Sequence, residues 1–238
     1  MRDLDQRALV LDIRKRCTNK TVVIVGDIHG CFDELLVILD KIGWNQKTHV
    51  LIFTGDLIDR GPKIKDTLLF AMTTPNVYTL MSNHEYKLLR YLRGNDITIG
   101  SLAKTIAQCG ELIFDTYLNA WLESLPYIIR WADDSFVVHA GIIPSCSIYN
   151  QKKSSCIYIR TWSPYSNRIS VEEDDPWFKF DPIEKIKIYF GHNVQSYPFV
   201  SNWAVAMDGG VVFGDTLRAC LDGKEIVEVQ SKAKYYWR

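Results

Sequence analysis

The apolar pattern predicts an α/β fold in which a parallel sheet flanked by helices packs against a second, strand-rich sheet. Three observations carry this. Between residues 20 and 92 short β-branched runs alternate with stretches of helical periodicity, the βαβαβ order that forms a parallel sheet through right-handed crossovers. From residue 127 onward the texture is that of strands alone. Finally, Asp, Asn or His follows the apolar runs in short blocks around residues 27, 56, 83, 139 and 192, separations that only strands ending side by side can bring together.

Lys20 to Val25 (KTVVIV) stops at Gly26, as a buried parallel strand does. Leu35, Leu36, Leu39 and Ile42 then recur at helical spacing up to Gly43, a residue suited to the end of a helix. Residues 49–53 form the second strand, Pro62 opens a helix running to about Met72, 77–81 is the third strand and 85–92 the next helix. Leu102, Ile106, Leu112, Ile113, Leu118 and Leu122 predict a small helical cap over 97–124, broken at Gly110. Strands follow at 127–131, 136–139, 186–190, 200–207, 211–213, 217–221 and 226–229, with hairpin turns at DGG 208–210 and DGK 222–224. Residues 142–182 read as a long irregular loop, of the kind that is usually functional or mobile, and its acidic run Glu172-Glu173-Asp174-Asp175 as a solvated face.

No stretch resembles a linker or a repeat, so 1–238 is expected to be a single domain. Twenty-eight basic and 28 acidic side chains cancel, which argues against an extended nucleic-acid-binding surface. No window reaches the roughly 18 uninterrupted apolar residues of a membrane span, and the N-terminus lacks the apolar core of a secretory signal. The six cysteines show no CxxC pair and read as reduced, packed thiols. A cytoplasmic monomer is expected.

The blocks are GDIHG (Asp27, His29), GDLIDRG (Asp56, Asp59, Arg60), NHE (Asn83, His84), HAG (His139) and GH (His192). Four of the five histidines lie in them. Asp27, His29, Asp56, Asn83, His139 and His192 make a mixed oxygen and nitrogen set without thiolate, which suits Mn, Fe or Zn. Six protein ligands are too many for one catalytic ion with an open position and fit two ions sharing a carboxylate. Such a pair activates water for displacement at phosphorus. Arg60 can offer a forked donor to a phosphate. His84, next to Asn83, is free to act as the general acid, with Asp59 as the carboxylate that orients it. Arg160, in YIRTW, is a second candidate phosphate clamp. His49 belongs to no block, Glu85 reads as helix-starting charge, and Lys87, Arg90 and Arg93 share a helix face expected to be solvated.

These blocks resemble the signature of the calcineurin-like metallophosphoesterases, and the DRG form is similar to the PPP phosphoprotein phosphatases, over about residues 20–215. The resemblance implies a β-sandwich flanked by helices and a dinuclear Mn, Fe or Zn centre. Carried over block by block, it implies Asp27, His29 and Asp56 on one metal and Asp56, Asn83, His139 and His192 on the other. His84 paired with Asp59 would be the proton donor, Arg60 would hold the phosphate, and Arg160 resembles the family's second arginine. One departure is Ser82, where the family usually has Gly before NHE, which questions the backbone of that loop.

Several branches share these blocks. Diadenosine tetraphosphate hydrolases look similar through GDIHGCFDELLVILDKIGW but typically lack the Asp of the DRG block, which this chain keeps as Asp59. The stretches NHEYKLLRYLRGN, SLPYIIRWADDSFVVHAGI and DGGVVFGDTL resemble the phosphatase module of bacterial polynucleotide kinase-phosphatases. The leading expectation is therefore a phosphomonoesterase acting on phosphoserine or phosphothreonine in proteins. The alternative is a phosphatase of RNA ends or nucleotides, including dinucleoside polyphosphates. A catalytically silent binding module is disfavoured by the intact ligands and His84.

Overall fold

In the computed structural model, which describes residues 3–165, 169–170 and 172–237, two five-stranded mixed sheets face one another. The chain opens with β1 (Val10–Asp12) and a single turn, α1 (Arg14–Cys17). It continues through β2 (Thr21–Val25), α2 (Phe32–Lys41), β3 (His49–Phe53), α3 (Ile64–Thr73) and β4 (Val77–Thr79). Next come α4 (Asn83–Leu92), α5 (Leu102–Cys109) and α6 (Thr116–Ser124), the last two separated by a 3₁₀ turn at Gly110–Phe114. The remaining elements are β5 (Ile128–Arg130), β6 (Ser135–Val138), α7 (Lys153–Tyr158), β7 (Lys187–Phe190), β8 (Ala204–Ala206), β9 (Thr216–Leu221) and β10 (Glu225–Gln230).

One sheet has the order β10-β9-β2-β3-β4 and the other β1-β5-β6-β7-β8. Within them β2, β3 and β4 run parallel, as do β6, β7 and β8. Alternation along the strands explains the layering. Val22, Ile24, Val50 and Ile52 meet Val137, Tyr189 and Val205 between the sheets, whereas Val23, Val25, Leu51 and Phe53 belong to the core shared with Leu35, Ile38 and Leu68 of α2 and α3. A strand buried on both faces reads as an unbroken apolar run, and each such side chain removed from water contributes about 1.5–3 kcal/mol.

The sequence differs from the structure in four places. β1 was not anticipated; it has three residues, two of them exposed, and pairs in parallel with β5. Val211–Phe213, expected as a strand, is a 3₁₀ turn between Gly210 (φ 76°) and Gly214 (φ 97°), because a three-residue apolar run carries no usable period. DGG 208–210 is not a hairpin, since β8 and β9 lie in different sheets, whereas DGK 222–224 does join the antiparallel β9 and β10. The stretch 142–182 holds α7 and is tethered: Gln151 donates to the carbonyls of Ile143, Cys146 and Ser147, and Trp177 and Phe178 are buried. Part of that stretch, 166–168 and 171, lies outside the described residues. Among the described residues no helix is long and apolar enough to cross a membrane.

Candidate metal centre

Parallel strands deliver their following residues to one rim, and both sheets do so here. Asp27 and His29 follow β2, Asp56 follows β3, Asn83 and His84 open α4 after β4, His139 follows β6 and His192 follows β7. The loops are tight. His29, Asp56, Asp59, Arg60 and His192 all have positive φ, between 46° and 70°, a conformation that costs a non-glycine residue of order 1–3 kcal/mol unless its surroundings enforce it. At Gly191 close approach is the requirement, since a Cβ there would sit 2.0 Å from Asp27 Oδ1.

Asp56 lies at the middle. Its Oδ2 is 3.3 Å from His29 Nε2 and 3.8 Å from His84 Nε2, and its Oδ1 is 3.5 Å from His139 Nε2. The donor atoms form two groups sharing this carboxylate, His29–Asp56–His84 and Asp56–His139–His192, each within 4.8 Å. Asn83 Oδ1 is 2.7 Å from His139 Nε2. Asp27 lines the same cavity of about 370 Å³, but its oxygens are engaged by the Thr54 hydroxyl (2.9 Å) and the His192 N–H (2.8 Å).

The imidazoles are held from behind. His29 Nδ1 donates to the Ile58 carbonyl (2.6 Å) and His139 Nδ1 to that of Thr54 (3.0 Å), which leaves each Nε2 as a lone pair facing the centre. Burial lowers the basicity of His29, His139 (to about 4) and His192, so all three are neutral, as metal ligation requires. Burial also works to raise the Asp56 carboxyl, but the charge of His84 above all, with the hydrogen bond from His29, outweighs it and holds the group well below its ordinary range. Buried Asp56 Oδ1 nevertheless has no hydrogen-bond donor among the described residues. An ionised oxygen without a donor, encircled by neutral imidazoles, fits divalent cations.

His84 is placed differently. Its Nδ1 lies 2.5 Å from Asp59 Oδ2, and Asp59 is in turn held by Ser101 (2.8 Å) and Thr105 (2.5 Å) of the cap. Burial alone would depress the His84 pKa, yet Asp56 and Asp59 together raise it. Arg60 points its two Nη groups at His29 Nε2 (2.5 Å) and His84 Nε2 (3.0 Å), its guanidinium lying over Phe213 and Tyr236 at 5.5 and 5.7 Å. Arg160 lines the same cavity and donates to Asn193 Oδ1 (3.3 Å). Ser82, where glycine was expected, has extended backbone (φ −112°, ψ 177°) and caps α4 by accepting the N–H groups of His84 and Glu85, so that loop needs no glycine.

All ten residues singled out from the sequence are therefore brought to one cavity or to hydrogen-bond contact with its lining. Two further groups were missed. Asp208 is buried, lines the cavity and is pushed up to about 6, chiefly by burial; it follows β8 as Asp27 follows β2, but the DGG reading hid it as a turn residue. Glu85 is fully buried and accepts the N–H groups of Asp56 and Leu57 (2.9 Å each) and the Ser82 hydroxyl. Burial lifts its carboxyl to about 7. It anchors the Asp56 loop and is more than a helix-starting charge.

Comparison with known proteins agrees with this arrangement. The family model described as calcineurin-like phosphoesterase matches residues 20–219. The bis(5'-nucleosyl)-tetraphosphatase PrpE [asymmetrical] of Bacillus velezensis is 29% identical, the match covering 89% of this chain and 93% of that protein. The symmetrical bis(5'-nucleosyl)-tetraphosphatase of Neisseria meningitidis serogroup A is 38% identical over 52% of this chain and 44% of its own length. Among solved structures, a candidate diadenosine tetraphosphatase superposes with a TM-score of 0.79 at 25% identity, covering 94% of this chain and 98% of that one. A Saccharomyces cerevisiae protein serine/threonine phosphatase, at 0.57 and 16% over 95% and 84%, shares the fold.

Proposed function

Because the chain belongs to the calcineurin-like phosphoesterase family, we propose that it is a metal-dependent hydrolase of dinucleoside polyphosphates, splitting a tetraphosphate asymmetrically into a nucleoside triphosphate and a monophosphate. Near full-length likeness to a relative named for that asymmetrical activity carries the reading. It replaces the expectation of a protein serine/threonine phosphatase, which leaned on Asp59. With tetraphosphatases among the full-length relatives, Asp59 does not serve to exclude that branch.

In this reading Asp27, His29 and Asp56 hold one divalent ion and Asp56, Asn83, His139 and His192 the other, Mn being the first choice and Fe or Zn alternatives. When bound, the ions supply Lewis acidity at the phosphoryl group and a nucleophile at neutral pH. Arg60, braced by two rings, presents a fork to non-bridging phosphate oxygens. Arg160 serves the same phosphate from across the cavity. His84, whose pKa Asp56 and Asp59 raise against the effect of burial, donates to the departing oxygen. The six unpaired cysteines accord with a reducing cytoplasmic setting.

The test supplies Mn²⁺-loaded protein separately with diadenosine tetraphosphate, a phosphoserine peptide and an RNA 2',3'-cyclic phosphate, resolving products by chromatography. The expected result is the highest kcat/KM on the dinucleotide, products ATP and AMP, and loss of activity with chelator. Faster turnover of the peptide or of the RNA end would overturn the reading.

A further inference from the structure

Residue Asn83 lines a second cleft as well as the metal cavity. This cleft, of about 400 Å³, is walled by Lys87 and Arg90 of α4, by Tyr158 at the end of α7 and by the segment 96–98. The basic face of α4 divides into three fates. Arg93 is paired with Glu123 at 2.8 Å. Lys87 is fixed by donating to the Ile99 carbonyl at 2.9 Å, which keeps its ammonium at the cleft wall. The Arg90 guanidinium has no hydrogen bond or ion pair among the described residues, its backbone carbonyl being engaged by the Asn95 N–H, and Asp96, the one carboxylate of the lining, is paired with neither cation. A half-buried guanidinium facing a cleft without an acidic partner is what an anionic ligand would complete.

The spacing suits a chain of phosphates. Along α4, Lys87 lies about 6 Å and Arg90 about 10 Å beyond Asn83, at 1.5 Å per residue. We propose that Lys87 and Arg90 form a subsite for the phosphates distal to the bond being cleaved, so that α4 carries the reacting phosphorus at its first residue and the rest of the polyphosphate along its exposed side. This rests on the dinucleoside polyphosphate reading and adds to it. An asymmetrical split leaves three linked phosphates on one side of the scission, and a track of two cations beside Asn83 selects for such a chain over a monoester.

The decisive experiment measures inhibition of p-nitrophenyl phosphate hydrolysis by inorganic tripolyphosphate and by orthophosphate, at fixed free Mn²⁺, in the wild-type protein and in Arg90→Gln, Lys87→Gln and Arg90→Lys variants. Expected are tighter inhibition by tripolyphosphate than by orthophosphate, a weakening of tripolyphosphate by about tenfold relative to orthophosphate in each glutamine variant, and recovery in Arg90→Lys. Equal Ki values for the two anions in the wild type, or parallel shifts for both in the variants, would overturn the subsite. If instead the tripolyphosphate preference depends on Arg90 while diadenosine tetraphosphate is not cleaved, the subsite stands and the assigned substrate fails.

Discussion

A departing alcohol needs a proton far more than a departing nucleotide phosphate does, because the phosphate is the weaker base. This difference makes His84 diagnostic. Replacing it by alanine is expected to lower kcat on alkyl phosphates by about 10²–10⁴-fold, and to lower it less on a dinucleoside polyphosphate, with two metal equivalents retained by elemental analysis. Metal loss with unchanged turnover per metal would reassign the residue as a ligand, a role its place beside Asp56 also permits. The pH profile gives an independent check. A proton donor acts in its protonated form, and the His84 pKa lies above the ordinary value, so under the proposed role alkyl phosphatase activity should fall as pH rises through that raised value. Asp59→Asn removes one of the charges responsible and should move the alkaline limb down by about one unit or more. The dyad was legible in the sequence because both members sit in recognisable blocks. Asp208 was not, since a DGG turn and a site carboxylate at a strand end look alike until β8 and β9 are seen to lie in different sheets.

At the scale of elements, the cap reaches the carboxylate that holds His84. Helix α5 fixes the Asp59 carboxylate through Thr105, and Ser101, just ahead of α5, binds it as well. Thr105→Val should cost about 1–3 kcal/mol in stability, read by denaturant melts, by leaving a buried carboxylate oxygen and an N–H short of partners. It should also reduce turnover on alkyl phosphates by loosening His84. Periodicity predicted helices over 97–124, where α5 and α6 lie, but could not show which polar residues on their buried side face the site. The described part of 142–182 was illegible for a related reason. Its order comes from tertiary anchors, above all Trp177, which packs against Phe190 and Trp203 and donates to the Ala140 carbonyl (3.1 Å) beside His139. Trp177→Ala should destabilise the protein by about 3–5 kcal/mol and disturb the His139 loop, lowering metal content before the global transition.

For the whole molecule, metal binding and folding should be linked. A site filled at 100 times its Kd adds about 2.7 kcal/mol, and in a chain of this size each kcal/mol moves Tm by roughly 2–4 °C. Chelation should therefore lower Tm by about 5–10 °C per strongly bound ion, measured by calorimetry; an unchanged Tm would count against binding in the folded state. The thiols should be quiet. Burial raises Cys17, Cys109 and Cys220 to about 11 and Cys156 to about 12, so a thiol reagent at pH 8 should modify native protein slowly and unfolded protein fast. The sandwich itself was readable from strand runs and block spacing, because both reflect burial along strands; β1 escaped because it is short and its side chains are half-buried or exposed.

One property of the centre reaches beyond catalysis. Asp27, His29, Asp56 and Asn83 come from the sheet containing β2, β3 and β4, whereas His139 and His192 come from the other. Among the described residues the two sheets share no backbone ladder, so an ion bound at Asp56 and His139 would fasten them as a clasp fastens two covers, closing a loop of more than 80 residues at an entropic cost to the chain. Its removal should show first as faster amide exchange in the loops that follow β6 and β7, while the ladders within each sheet keep their protection.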